Sequence, residues 1–161
     1  MKFFRILFGV VLGYVAVALM VAVGMTLGAF LLGANQVFVG DSWVASNLWN
    51  VFALLLSVTC AFFGGFTAAW WGGRSASGYG LAVALLVFGS LQIIVDKNRA
   101  IDLNPPPRPT VMAFADWANT ANYARPPLWL AVSSMSLGVV GVVTGTRHCS
   151  RRKNPIEKKA Q

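Results

Sequence analysis

Charge is absent from most of this chain. Four long apolar runs, residues 6–32, 48–72, 79–95 and 127–146, contain no Asp, Glu, Lys, Arg or His. Each reaches or approaches the roughly 20 residues that a helix needs to cross about 30 Å of hydrocarbon. The chain has 161 residues, 57% of them hydrophobic, and a mean hydropathy of +0.64. A single membrane domain over residues 1–161 is expected, with little left for a soluble module.

The other absences narrow the chemistry. There is one histidine, His148, at the edge of a basic tail, so neither a His-based zinc site nor a Ser-His-Asp triad is expected in the membrane. Charge buried in a bilayer is expensive and persists where it serves transport or proton relay; these runs carry no such signal. Gly72, Gly73, Gly78 and Gly80 fall at a helix turn and not after a strand, unlike a P-loop or dinucleotide fingerprint. Asp96, Asp102 and Asp116 share one loop but are interleaved with basic residues, which fits solvated charges better than a calcium or magnesium site. No catalytic residue, metal site or cofactor is expected. Cys60 falls mid-run and Cys149 at the end of the last run. Their different depths argue against a disulfide, and Cys149 is read as a reduced thiol, with acylation as the alternative.

The charge that is present collects on one face. Four spans bring together the N-terminus, the turn at Arg74 and the C-terminal tail. Lys2, Arg5, Arg74, Arg147, Arg151, Arg152, Lys153, Lys158 and Lys159 meet only Glu157 there. On the other face Asp41, Asp96, Asp102 and Asp116 offset Lys97, Arg99, Arg108 and Arg125, so the whole net charge of +8 lies on the first. The positive-inside rule makes that face cytoplasmic, with both termini inside. Arg147, Arg151, Arg152 and Lys153 are expected to touch anionic headgroups of membrane lipids, each contributing about 1 kcal/mol near the surface. Nucleic acid is not an expected partner, because the tail has neither interleaved aromatics nor a folded reader.

Small residues form stripes. Gly9, Gly13, Ala16, Gly24 and Gly28 recur at helical spacing in the first run, Ser57, Ala61, Gly64 and Ala68 in the second, and Ser134, Gly138, Gly141 and Gly145 in the fourth. Such stripes let backbones approach closely, which matters in lipid, where apolar burial no longer drives helices together. Gly24, Gly28, Ser57, Gly64, Gly138, Gly141 and Gly145 are therefore expected helix-packing positions. The fold expected is an all-α, antiparallel four-helix transmembrane bundle. Its stripes are consumed inside the monomer, with homodimerisation through the first or fourth helix as the alternative. Tyr14, Thr26, Ser57, Ser90, Gln92 and Ser134 are expected to bond backbone carbonyls or to bridge helices, Gln92 meeting Ser133 or Ser134.

Of the connections, residues 35–47 place Phe38 and Trp43 near an outer interfacial belt that Trp49 joins. Trp70 and Trp71 anchor the other end of the second span, and a tight turn passes through Ser75, Ser77 and Gly78. The outer loop 96–126 opens with the extended stretch Asn104-Pro105-Pro106-Pro107-Arg108-Pro109. Thr110 then caps a short interfacial helix over residues 111–123. The first run is too long for a secretory signal core and is expected to remain as a span.

The run Gly64-Gly65-Phe66-Thr67-Ala68-Ala69-Trp70-Trp71-Gly72-Gly73-Arg74, with the Gly-rich helix from Trp129 to a basic cap at Arg147, resembles small uncharacterised bacterial inner-membrane proteins with four spans. The resemblance covers about half of the chain. It implies a helical bundle in the bacterial cytoplasmic membrane and carries over no activity or functional residue. The expected function is therefore non-enzymatic, structural or accessory to a membrane complex, with a membrane-protein partner. The alternative is a small transporter or channel protomer acting as a homo-oligomer.

Overall fold

The computed structural model describes residues 2–73, 75–98, 123 and 127–153. In chain order they form α1 (Lys2–Leu32), the single turn α2 (Ala34–Val37), α3 (Asn47–Gly72), α4 (Ser75–Asn98) and α5 (Leu128–Lys153). The four long helices are all long and apolar enough to cross a membrane, and the chain is a multi-pass membrane protein. At 1.5 Å per residue they run about 36–46 Å, past the roughly 30 Å of hydrocarbon. All seven prolines lie outside these helices, so no helix interior loses a hydrogen bond to one. Pro127 sits just ahead of α5, and its carbonyl accepts from the Leu130 and Ala131 amides at 2.9 and 3.3 Å.

Local chemistry sets the helix ends. The Ser46 hydroxyl accepts the Trp49 amide at 3.1 Å, capping α3, and donates to the Gln36 carbonyl, tying that cap to α2. At its other end α3 closes on Gly73, whose φ of 69° is left-handed, a conformation glycine adopts without steric penalty. α4 begins at Ser75, so only two residues separate it from α3. Ser75, Ser77 and Gly78, read from sequence as part of this turn, belong to the helix. Ser77 and Gly78 are buried, and that packing overrides their turn propensity.

Around α3 the other three long helices assemble. α4 also touches α1 and α5, whereas α1 and α5 flank the bundle and make no contact with each other among the described residues. The core is made of small and medium side chains, Ala61, Ala68, Leu81, Ala82 and Val142, backed by Val10, Leu85, Val139 and Val143. Larger apolar residues such as Leu19, Val23, Leu55 and Val83 face outward. Small inside and large outside suits lipid, where close backbone approach stabilises association and exposed leucine carries no penalty.

The connection between α1 and α3 is folded back on the bundle. Phe38 and Val37 are buried, Phe38 pairs with Ala45 in an isolated bridge, and the Val39 amide donates to the Val44 carbonyl at 2.9 Å. Phe38 is thus the core of a small cap and not an interfacial ring. Trp43 packs edge-on against it at 5.6 Å and lies 5.3 Å from Tyr123. The Pro-rich stretch and the expected helix at 111–123 lie outside the described residues, Tyr123 excepted.

Candidate functional site

The bundle differs between its two halves. In the half that holds the termini, glycines bring backbones into contact. A Cβ on Gly9 would sit 2.7 Å from the Gly72 Cα, and one on Gly13 2.7 Å from the Ala68 Cβ. On Gly65 it would collide with the Val142 backbone, on Gly78 with Thr146, and on Gly145 with the Phe62 carbonyl. The buried Thr146 hydroxyl bonds its own helix at Val142 and also reaches the Gly65 carbonyl at 3.3 Å. This half is sealed.

The loop half is not. A cavity of about 610 Å³ lies between all four long helices. Tyr14, Val17, Val21 and Met25 of α1 face Ala53, Ser57 and Ala61 of α3 across it, with Leu130, Ser134 and Gly138 of α5 forming another wall. α4 contributes the stretch from Leu85 to Asp96. Ala61 and Leu85 also belong to the core or pack against it, so the sealed half is the floor of the cavity. Two seams around it are closed. Leu56 and Phe52 of α3 fill the space over Gly24 and Gly28 of α1, and Met135 of α5 packs on Gly89 of α4, where the Ser90 hydroxyl donates to the Met135 Sδ at 3.7 Å. Between α1 and α4 the rings of Tyr14 and Phe88, both on the cavity lining, meet at 5.6 Å.

The polar groups on the wall are mostly satisfied locally. Ser57 donates to the Ala53 carbonyl at 2.7 Å and Ser134 to that of Ala131 at 3.0 Å. Gln92, expected to meet Ser133 or Ser134, instead donates from Nε2 to both carboxylate oxygens of Asp96 at 3.3 and 3.4 Å, one turn along its own helix. Gln92 and Ser134 both line the cavity. The hydroxyls of Thr26, Thr59, Thr67, Ser136 and Thr144 likewise bond the carbonyl four residues back, serving their own helices more than bridging to others.

Of the expected packing positions, Gly24 faces Leu56, Gly28 faces the Phe52 ring, Gly64 meets Val17 and Gly13, Gly141 lies under the Val58 carbonyl and Gly145 under Phe62. Ser57 and Gly138 lie on the cavity wall, and nothing stands within 4 Å of a Cβ built on Gly138. Among the expected lipid-contacting cations, Arg147 and Arg151 are exposed; the side chains of Arg152 and Lys153 lie outside the described residues. Cys60 and Cys149 are free and buried, so the Cys149 thiol faces the bundle and is not offered for acylation. Three positions escaped the sequence reading. Asp96 lines the cavity although it reads as a loop charge. The Arg5 guanidinium lies beside Gly73, where a cation complements the negative end of α3. Asn50, one turn beyond Ala53, is buried with no hydrogen-bond partner for its Oδ1 among the described residues; an uncharged amide inside an apolar run is invisible to a search for charge.

Among the described residues no three His, Cys, Asp or Glu side chains are grouped to hold a metal. No protein-family model, no curated protein and no solved structure matches this chain.

Proposed function

We propose that this chain is a non-enzymatic, structural or accessory component of a larger membrane complex. The observation that carries the proposal is the sealed half of the bundle. Where Gly9 meets Gly72 and Gly65 meets Val142, main-chain atoms touch and leave no room for a hydrated solute. A path through the monomer would require these helices to part. The cavity above that floor is mostly apolar, its polar groups being Tyr14, the Gln92–Asp96 pair and the Ser57 and Ser134 hydroxyls bonded to their own helices, which suits holding or packing better than proton transfer. Placement in the cytoplasmic membrane of a bacterium rests on the resemblance of the 64–74 run. The inward orientation of both termini rests on the cation excess at that face. The elements offered to a partner protein are the folded cap around Phe38 and Trp43 and the basic C-terminal tail.

Purification in a mild detergent tests this directly. Stoichiometric recovery of a different membrane protein with the tagged chain is the expected result. Recovery of a homo-oligomer alone, together with solute flux when that oligomer is placed in liposomes, would overturn the accessory reading in favour of a transporter or channel protomer.

A further inference from the structure

We propose that the cavity between the four long helices is a binding site for one acyl chain of a membrane glycerolipid. Depth supplies the first argument. From Tyr14 at its floor to Met25 near its mouth the cavity follows α1 for eleven residues, about 16 Å at 1.5 Å per residue. That is about half of the roughly 30 Å hydrocarbon thickness, the reach of a chain from a single leaflet. Access supplies the second. The α1–α3 seam is closed by Leu56 and Phe52 and the α4–α5 seam by Met135, whereas α1 and α5, which both line the cavity, make no contact with each other among the described residues. In a bilayer, what surrounds the spans is lipid hydrocarbon.

Polarity supplies the third argument. The walls are mostly apolar down to the core residues Ala61 and Leu85, with the Ser57 and Ser134 hydroxyls bonded to their own helices, whereas Gln92 and Asp96 lie toward the loop end, the same order of polarity as a lipid from chain to headgroup. A volume of about 610 Å³ falls within the usual range of roughly 300–1,000 Å³ for ligand sites, which are mostly apolar with a few placed polar groups. An unfilled void of this kind would forfeit dispersion contacts on every wall. Gly138 keeps the deep part open, since a side chain there would project into free space.

The test is photolabelling of the full-length protein in vesicles of phosphatidylethanolamine and phosphatidylglycerol, a fraction of whose acyl chains carry a diazirine. In the wild type the label should reach inward-facing Ser57, Ala61 and Ser134 as well as outward-facing Leu19 and Val23. Gly138→Leu should reduce labelling of the inward positions about tenfold, the effect of displacing about two chain methylenes, and leave the outward positions unchanged. Labelling confined to outward positions in the wild type overturns the proposal, whether or not the variant folds. Equal inward labelling in a folded, monodisperse Gly138→Leu protein also overturns it. So does crosslinking of the inward positions to a second copy of the chain in place of lipid, which would make the cavity a helix-docking groove.

Discussion

One methyl group is enough to separate the glycines of this chain into two kinds. At Gly65 it would enter the Val142 backbone and at Gly145 the Phe62 carbonyl, whereas at Gly138 it meets nothing. Backbone cannot swing aside as a flexible side chain does, so Gly65→Ala and Gly145→Ala are expected to destabilise the folded protein by about 1–3 kcal/mol. Gly138→Ala should be neutral or stabilising by up to about 1 kcal/mol, the helix-propensity gain of alanine over glycine. Thermal unfolding in detergent measures all three, and equal effects across them would refute the distinction. Gly141→Leu, whose Cβ would lie 2.9 Å from the Val58 carbonyl, should also lower the melting point. An unchanged melting point with loss of self-association would instead assign that stripe to a dimer interface.

Periodicity in the sequence selects Gly138, Gly141 and Gly145 alike, because it reports which helix face a residue occupies and not how far away the facing helix stands. Gly65, Gly72 and Gly78 show the converse. Gly65 and Gly78 lie off the stripes and Gly72 one step past the end of one, yet each touches a neighbouring helix.

For the elements themselves, existence was easy to read and ends were not. Uncharged runs of helical length make the four spans legible, since a backbone in hydrocarbon must satisfy its own hydrogen bonds. Where each helix stops depends on single residues in context. Ser46 begins α3 because its hydroxyl meets both the Trp49 amide and the Gln36 carbonyl. Ser46→Ala should therefore cost about 1 kcal/mol and speed amide exchange at Trp49, measured by hydrogen–deuterium exchange; unaltered protection there would show that the cap contributes nothing. α4 begins at Ser75 and continues to Asn98, past the ends of the uncharged run, because tertiary contact at Ser77 and the Gln92–Asp96 bond extend it.

At the scale of the whole molecule, the two ends of the bundle carry different charge and different packing. Arg5, Arg147 and Arg151 mark the sealed end, and Asp41, Asp96 and Lys97 the open one. The orientation proposed from this asymmetry has a direct test in single cysteines at exposed positions. In intact cells Asp41→Cys should react with a membrane-impermeant maleimide, and Ala76→Cys only after permeabilisation. The native thiols, both buried, should contribute little background while the protein is folded. The opposite pattern would place the cationic face outside and refute the inward assignment of the termini.

Sequence alone determined that the chain crosses a membrane, how many times, and which loops share a side, because the transfer of charge and of unpaired backbone into hydrocarbon costs far more than any packing preference returns. It also marked the helix faces able to approach closely. Tertiary structure decided which of those faces meet. The stripes of α1, α3 and α5 press backbone on backbone toward the termini, and toward the loops Ser57, Ser134 and Gly138 of the α3 and α5 stripes line a cavity. Small side chains permit contact and permit emptiness equally, and only the paths of the helices distinguish the two.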